Sequence, residues 1–533
     1  MKYNFIVLLS IFCLSLEAQD LSSTMTVREG TSVSIADGAI FTADELNLKS
    51  TSDSFACVML DGTITDGTVV NYDRYVNVVG TSGANGGNDL VSLPVKATDT
   101  DYNDFLNYGT VNGDDSMANY NYIPSSGALY AFGPYSNVSQ SYVNYNSISN
   151  ATVLLQRGVG YRAATSSGQT LRFSGTISKD TENVTITTTD PIIAPDTTGD
   201  PKNWNSVGNP YPTYLNSTLF LDENEDQLAE DAVAIYGYNS GTQSGTGTIG
   251  NFTIINRSVN IGLNITPGQG FLVANDFTDA SNVISFTPAM RVFSGSDDFI
   301  LGRSDNVNEM VRLKAEHAGG DFATEIYFNE NSTQGVDRGY DAKLFGASSL
   351  SFSLYSELLE DSEGNGMAIQ SLGSSDLSDV VIPLGLKASQ GQQITFSIET
   401  STLPADVEVY LEDNLENTYT LLNQGSYTFT ADTAINGTGR FYLNIGNVTL
   451  SQVDKELNSL SLYAANKNIF VNGQLLAATQ VDVYDTLGRI VMSSSLETGS
   501  DANKINASQL SAGIYVVKLA NGKQELTKKV IIK

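Results

Sequence analysis

From Thr26 to the C-terminus, apolar residues come in short runs that alternate with polar ones and are broken by turn residues. Between Thr26 and Val79 the runs are separated by Asp-Gly turns, as in Ile35-Ala36-Asp37-Gly38 and Leu60-Asp61-Gly62-Thr63-Ile64. Glycine accepts the positive φ of a tight turn, so this pattern predicts β-hairpins. Past Ile300, alternating runs at Met310–Glu316 and Glu325–Phe328 are followed by others at Val380–Leu386, Gln393–Ile398, Val407–Glu412, Tyr427–Thr430 and Arg440–Leu443. About eight short strands at this spacing predict one β-sandwich of jelly-roll or Ig-like type. Only Ser356–Glu363 and Asp222–Asp231 offer room for two helical turns. The fold class expected is therefore all-β and multi-domain, built of β-sandwich modules.

The last stretch has the same period-two patterning in a more compact form. Ile469-Phe470-Val471, Val481-Asp482-Val483-Tyr484 and Gly513 to Leu519 are separated by Asn472-Gly473, Leu487-Gly488-Arg489 and Asn521-Gly522, and the chain ends in Lys528-Lys529-Val530-Ile531-Ile532-Lys533. Three segments stand in order: V-x-V-Y-D-x-x-G-R-x-V from Val481 to Val491, L-x-x-G-I-Y-x-V-K-L from Leu510 to Leu519, and the terminal K-K-V-I-I-K. Together they resemble the type A C-terminal sorting domain of proteins exported by the type IX secretion system. The resemblance implies a small Ig-like domain recognised by that machinery, passage across the outer membrane, and removal of the tail as the cargo is released or attached at the surface. Gly488, Arg489, Gly513, Tyr515, Lys528 and Lys529 carry the resemblance and are the expected sorting signal.

Composition sharpens the boundary. The net charge is −31, yet residues 455–533 hold nine Lys and Arg against six Asp and Glu, a balance of +3 that leaves −34 for the rest. The expected organisation is a signal peptide at 1–18, a β-rich region at 19–298 with an internal break between 150 and 200, a β-sandwich at 299–450, and the sorting domain at 455–533. The signal reading rests on Lys2, the apolar run Phe5–Leu16 and a cleavage position after Ala18. No other stretch approaches the ~20 apolar residues of a spanning helix, so no transmembrane segment is expected. An acidic body argues against nucleic acid as a partner. Without Cys13 of the signal, Cys57 is the one remaining cysteine. It reads as a packed thiol, and cores alone must hold the fold.

Candidate chemistry lies in three places. Eight of the 26 tyrosines fall between Asp101 and Asn150, among Asn, Ser and Gly. Tyr120, Tyr122, Tyr130 and Tyr135 read there first as rings packing across adjacent strands, and as candidate binding residues that stack on sugar faces in the alternative reading. The sole tryptophan sits in Trp204-Asn205-Ser206-Val207-Gly208-Asn209-Pro210-Tyr211-Pro212, where two prolines predict a rigid loop, and Trp204 and Tyr211 join the candidate binding residues. That wording, within Gly158–Ala274, resembles a recurrent β-module of large surface proteins exported by the same system. Gly335 to Lys343, with Val409–Asp413 and Arg440–Leu443, resembles modules that precede such tails. Calcium is the candidate ligand of two acidic runs, Asp222, Glu223, Glu225 and Asp226, and Asp99, Asp101 and Asp104, because it takes six to eight oxygen ligands in irregular geometry. The sole histidine, His317, allows no multi-histidine zinc site and brings no nucleophile motif with it.

The reading that results is an exported surface or secreted protein whose body is a non-catalytic binding or structural module for glycans, surface proteins or a substratum. Two alternatives stay open: a polysaccharide-active enzyme or its accessory protein, and a subunit of a cell-surface assembly.

Overall fold

The Asp-Gly turns between Thr26 and Val79 do not close hairpins. In the computed structural model the strand Thr24–Val27 pairs in parallel with Glu45–Lys49, Ser32–Ile35 with Cys57–Leu60, and Ile40–Phe41 with Thr63–Ile64. Glu45–Lys49 pairs in turn, again in parallel, with Val69–Val76. Each strand thus lies beside its equivalent one coil later, the arrangement of a short β-solenoid. The structure describes residues 23–79, 88–108, 118–189, 202–239, 251–259, 262–276, 278–295, 308–346, 350–362, 364–446, 460–465, 467–472, 475, 477–497, 502–521 and 525–532. The signal peptide, the expected boundary near 454 and the terminal Lys533 lie outside these residues.

Alternation of apolar and polar positions cannot distinguish a hairpin from a coil, because both present one face to a core. The turn glycines carry the difference. Gly38 has a φ of 76°, as a tight turn needs. A Cβ on Gly62 would instead stand 2.4 Å from the carbonyl oxygens of Ala36 and Ala39 in the preceding coil. Gly62 is therefore glycine because coils stack on it, not because a hairpin reverses there. Stacking also aligns like with like. Val27, Leu48 and Tyr72 form one buried file and half-buried Met25 with Leu46 and Val70 another, while Asn71 Nδ2 donates to Asn47 Oδ1 at 2.9 Å on the reverse side.

Contacts along the backbone divide the chain into two units, the second beginning at Asn306 and taking Glu230–Val233 with it. In the first unit, Gln169–Gly175 pairs antiparallel with Val69–Val76 and completes a four-stranded sheet. The core beneath is aromatic: Phe105 lies 4.6 Å from Phe132 and 5.2 Å from Phe173, and Phe132 lies 5.2 Å from Tyr161. A further sheet runs in the order Trp204–Gly208, Gly270–Ala274, Ile235–Asn239, Asn251–Ile255. Where Asp222–Asp231 offers room for two helical turns, the helix begins earlier, at Ser217, and ends at Asn224, followed by two separate 3-10 turns, Glu225–Gln227 and Glu230–Ala232. Its start is set by Asn216, whose Oδ1 accepts from Leu219 N at 3.0 Å, an N-cap the sequence reading passed over.

In the second unit one continuous sheet of eleven strands runs from Thr418–Leu421 through Ile435–Gly446, Asp379–Ala388, Met367–Gly373 and Gly320–Asn329 to Tyr427–Thr430. It folds over on itself: Phe396 and Phe429, near one end, meet Phe441, near the other, at 4.9 and 5.0 Å. The described part of Ser356–Glu363 is not helical. It continues from the strand Ser353–Ser356 into a turn in which Asp361 takes a φ of 50°. The terminal domain has two small sheets, one of Ser461–Ala465, Asn468–Asn472 and Ala502–Asn506, the other in the order Ile490–Leu496, Thr479–Tyr484, Gly513–Ala520, Glu525–Ile532, with a shared apolar core. The chain is all-β, as its patterning predicts.

Candidate functional site

The tyrosine-rich segment forms a lobe of short strands and turns at 118–155 in the first unit. Tyr120, Tyr122 and Tyr130 are half-buried and pack against the aromatic core, as does Tyr145. Tyr135 stands apart from that cluster. It pairs with Tyr142 across a hairpin whose turn places Gln140 at a φ of 50°, and their rings meet edge to face at 5.1 Å. The Arg162 guanidinium lies 5.4 Å above the Tyr142 ring and donates to Asn144 Oδ1 at 2.8 Å. Among the described residues Arg162 has no carboxylate partner. Burial pushes its pKa below the ordinary arginine range. Leu129, Val138, Val143, Ile148 and Leu154 leave large apolar side chains exposed on the same lobe, Val138 at 68% and Ile148 at 79%.

Tyr142, Asn144 and Arg162 were not among the residues expected to bind. The signal that marks them is an absence: from Ser116 to Gln156 the sequence contains no Asp, Glu, Lys or Arg, in a chain that is 16% charged overall. An uncharged surface with exposed apolar groups is unusual on so acidic a protein, and such patches mark interaction sites.

Trp204 and Tyr211 correct the sequence expectation. Trp204 is 1% exposed, with its ring edge to face against Tyr236 at 4.7 Å, and Tyr211 is fully buried. The Tyr211 hydroxyl donates to Phe286 O at 2.6 Å and Asp180 O at 2.8 Å. Asn209 ties the intervening loop by donating to Thr213 O at 2.7 Å and accepting from Tyr211 N at 3.0 Å. Rings covered by protein on both faces cannot stack on a sugar, so the two-proline loop is a packed corner of the fold.

The acidic runs are likewise engaged internally. Asp101 and Asp104 form a capping box at the helix Tyr102–Leu106, with Asp101 accepting from Asp104 N at 2.9 Å. Arg257 pairs with Asp222 at 3.3 Å and with Glu225. Glu223 and Asp226 are exposed. Among the described residues no three His, Cys, Asp or Glu side chains gather closely enough to hold a metal ion, so the calcium expectation finds no ligand set. Exposed Asp99 and Asp104 border a cleft of ≈ 430 Å³ with Phe105, Leu155 and Phe173 in its lining. Its arginine, Arg172, is committed to Asp73 by a two-point contact at 2.5 and 2.7 Å, and its Tyr108 donates to Asn71 at 3.0 Å.

Other titratable groups serve the fold. His317 Nδ1 accepts from Gly319 N at 3.1 Å, and its ring lies 4.3 Å from Phe352. Cys57 is buried with its thiol toward Val292 O, and burial pushes its pKa up to about 11, which denies it thiolate chemistry. Asp341 is fully buried and accepts from Asp337 N and Ser371 N, each at 2.7 Å. Desolvation outweighs those two bonds and raises its pKa to about 8. Asp413 accepts from Arg440 at 2.7 Å and from Tyr427 at 2.8 Å, while Arg440 covers Phe429 and Phe441.

In the terminal domain Gly488 and Arg489 form a turn closed by Asp485. Its Oδ1 accepts from Leu487 N and Arg489 N, its Oδ2 takes Arg489 Nε at 2.8 Å, and Gly488 has a φ of 77°. Gly513 opens one of the two inner strands of the four-stranded sheet. Tyr515 belongs to the core, with its hydroxyl donating to Ser511 O at 2.8 Å. Lys528 is half-buried beside Leu359 O, and burial lowers its pKa against the pull of Glu357 and Glu360, whereas Lys529 is exposed.

Residues 465–533 match the secretion system C-terminal sorting domain, so the tail directs export by the type IX system to the cell surface or the extracellular space. No helix among the described residues is long and apolar enough to cross a membrane. No curated protein matches the chain. A solved structure titled "Biofilm associated protein - BSP domain" aligns at 10% identity over 77% of this chain and 87% of its own, with a TM-score of 0.17, a likeness too slight to bear on fold or function. Residues 21–444 match the domain of unknown function DUF8693, and the chain belongs to that family.

Proposed function

We propose that this exported chain is a non-catalytic surface protein whose body binds an uncharged glycan through the tyrosine lobe at 118–155. The observation that carries the reading is the lobe's lack of charge, combined with exposed apolar side chains, on a chain of net charge −31. A sugar ring offers apolar C–H faces and a rim of hydroxyls. Tyrosine rings and aliphatic side chains suit the first, while Asn144, the serines and the carboxylate-free Arg162 suit the second. Polyanions are disfavoured, since the field of the acidic body repels them and one arginine does little to offset it. The test is to incubate the chain from residue 19 onward with algal and cell-wall polysaccharides, following binding and release of reducing ends together. Binding without release is expected, and release of reducing ends would turn the reading into one of a polysaccharide-active enzyme.

A second reading, as a subunit of a surface assembly, is favoured by one observation. Among the described residues Thr24–Val27 is an edge strand of the first solenoid coil, and Ile40 on the same coil is 72% exposed. Unprotected strand edges are templates for another chain. Association that depends on protein concentration and is lost on Ile40→Lys would support it.

A further inference from the structure

A lysine and an aspartate meet out of water in the second unit. The 3-10 turn Glu230–Ala232 brings Asp231 to the short strand Ala342–Lys343, and Lys343 Nζ lies 3.1 Å from Asp231 Oδ1, with the two side chains only 4% and 8% exposed. The contact lacks hydrogen-bond geometry, since Asp231 Oδ1 accepts no hydrogen bond. Asp231 Oδ2 does accept one, from Asn365 Nδ2 at 3.0 Å. The carboxyl group is thus held by one oxygen while an amine stands against the other.

A buried ion pair is an unsettled state for these two groups. Taking both charges out of water costs more than a poorly aligned contact returns. Passing one proton from Nζ to Oδ1 gives a neutral amine beside a neutral carboxylic acid, the form that a low dielectric favours. Asp341, fully buried two residues before Lys343, feels the charge of Asp231 and keeps its proton up to about pH 8. It therefore adds no second negative charge that would hold Lys343 as an ammonium. Amine and acid are the two reactants of an amide, and here the fold fixes them at contact distance, where a reaction within one molecule gains most from proximity.

We propose that Lys343 and Asp231 condense into an intramolecular isopeptide bond. Nζ attacks Cγ of Asp231 and the N–C bond forms, while the negative charge that develops on Oδ2 is met by the Asn365 amide. A second proton passes from Nζ to Oδ1, the Cγ–Oδ1 bond breaks, and Oδ1 leaves as water. Of the three protons of the original ammonium, two depart in that water and one stays on the amide, so no other reactant is needed. The bond closes a loop of about 110 residues, a cross-link of the kind a disulfide would supply, in a fold where Cys57 is buried as a free thiol.

The test is the mass of the purified full chain, measured in denaturant. Wild type is expected to weigh one water, about 18 Da, less than its residues require, and Lys343→Arg, which keeps the charge but cannot form the same amide, to weigh the full amount. Trypsin is expected to leave wild type uncut after Lys343 and to release a branched peptide that carries both Lys343 and Asp231. Without the link, Lys343→Arg is expected to melt about 10 °C below wild type. Asn365→Ala is expected to form the link several-fold more slowly after synthesis, and a wild-type rate there overturns the part given to Asn365. A wild-type chain at full mass overturns the whole proposal, whether or not any variant folds. So does a loss of water that persists in Lys343→Arg, since the dehydration would then lie elsewhere in the chain.

Discussion

At the scale of single residues, buried polar groups decide which side chains are fixed. Asp341 keeps its proton up to about pH 8 in the fold, whereas an unfolded aspartate ionises near 4. Between those values the folded state binds the extra proton, so stability falls as pH rises, by at most about 1.4 kcal/mol per pH unit. Asp341→Asn removes the titration but turns an NH2 toward a backbone N–H, at a cost of about 1–3 kcal/mol. The variant is therefore expected to melt below wild type at pH 5 and to approach it toward pH 8. Thermal unfolding across that range checks this, and a gap that widens with pH contradicts it. Asn71 is a second such residue. It donates to Asn47 and to Glu45 at 2.7 Å and accepts from Tyr108 and Ser174. Asn71→Ala orphans several groups at once and is expected to cost about 1–3 kcal/mol for each one left without water, read as a lowered Tm. Sequence reading identified neither residue, since an isolated Asn or Asp carries no record of the partners that a distant strand brings to it. It did single out Trp204 and Tyr211, whose chemistry suits a ligand, but burial of their rings depends on strands far away in the chain.

Among the elements, the sequence patterning shows strands clearly and their partners poorly. Short alternating runs and turn glycines gave an all-β chain, and the runs past Ile300 correspond to strands of the eleven-stranded sheet. Period two is common to parallel and antiparallel pairing, so the alternation alone predicts hairpins as readily as a solenoid, and Gly62 decides between them by having a neighbour where a hairpin would leave solvent. Gly62→Ala forces a methyl group against the Ala36 and Ala39 carbonyls and is expected to destabilise the first unit by about 1–3 kcal/mol. The same change at Gly38, where a Cβ meets nothing within 4 Å, pays only the penalty of its left-handed φ. Calorimetry of the two variants separates the accounts, and a solenoid requires Gly62→Ala to be the more damaging. The tyrosine lobe was legible as an excess of one residue type. Its uncharged run was equally plain in the sequence but becomes meaningful only when Val138 and Ile148 prove exposed.

For the whole molecule, charge and address organise the account. An acidic body and a mildly basic tail are joined in one chain, and the sorting domain sends that chain out of the cell. Destination was readable because the tail's short motifs lie in fixed order at the C-terminus. The task was not, because a binding face is a property of surfaces assembled from distant strands, and Arg162 reaches Asn144 only through the fold. The most direct test of the central claim is native electrophoresis of the chain from residue 19 onward through gels containing an uncharged or an anionic polysaccharide, at low and high salt, alongside Tyr135→Ala and Asn144→Ala. The account predicts retardation by the uncharged polymer that persists in high salt and weakens about tenfold in both variants at unchanged Tm. Retardation confined to the anionic polymer and abolished by salt, or variants that bind as wild type does, would contradict it.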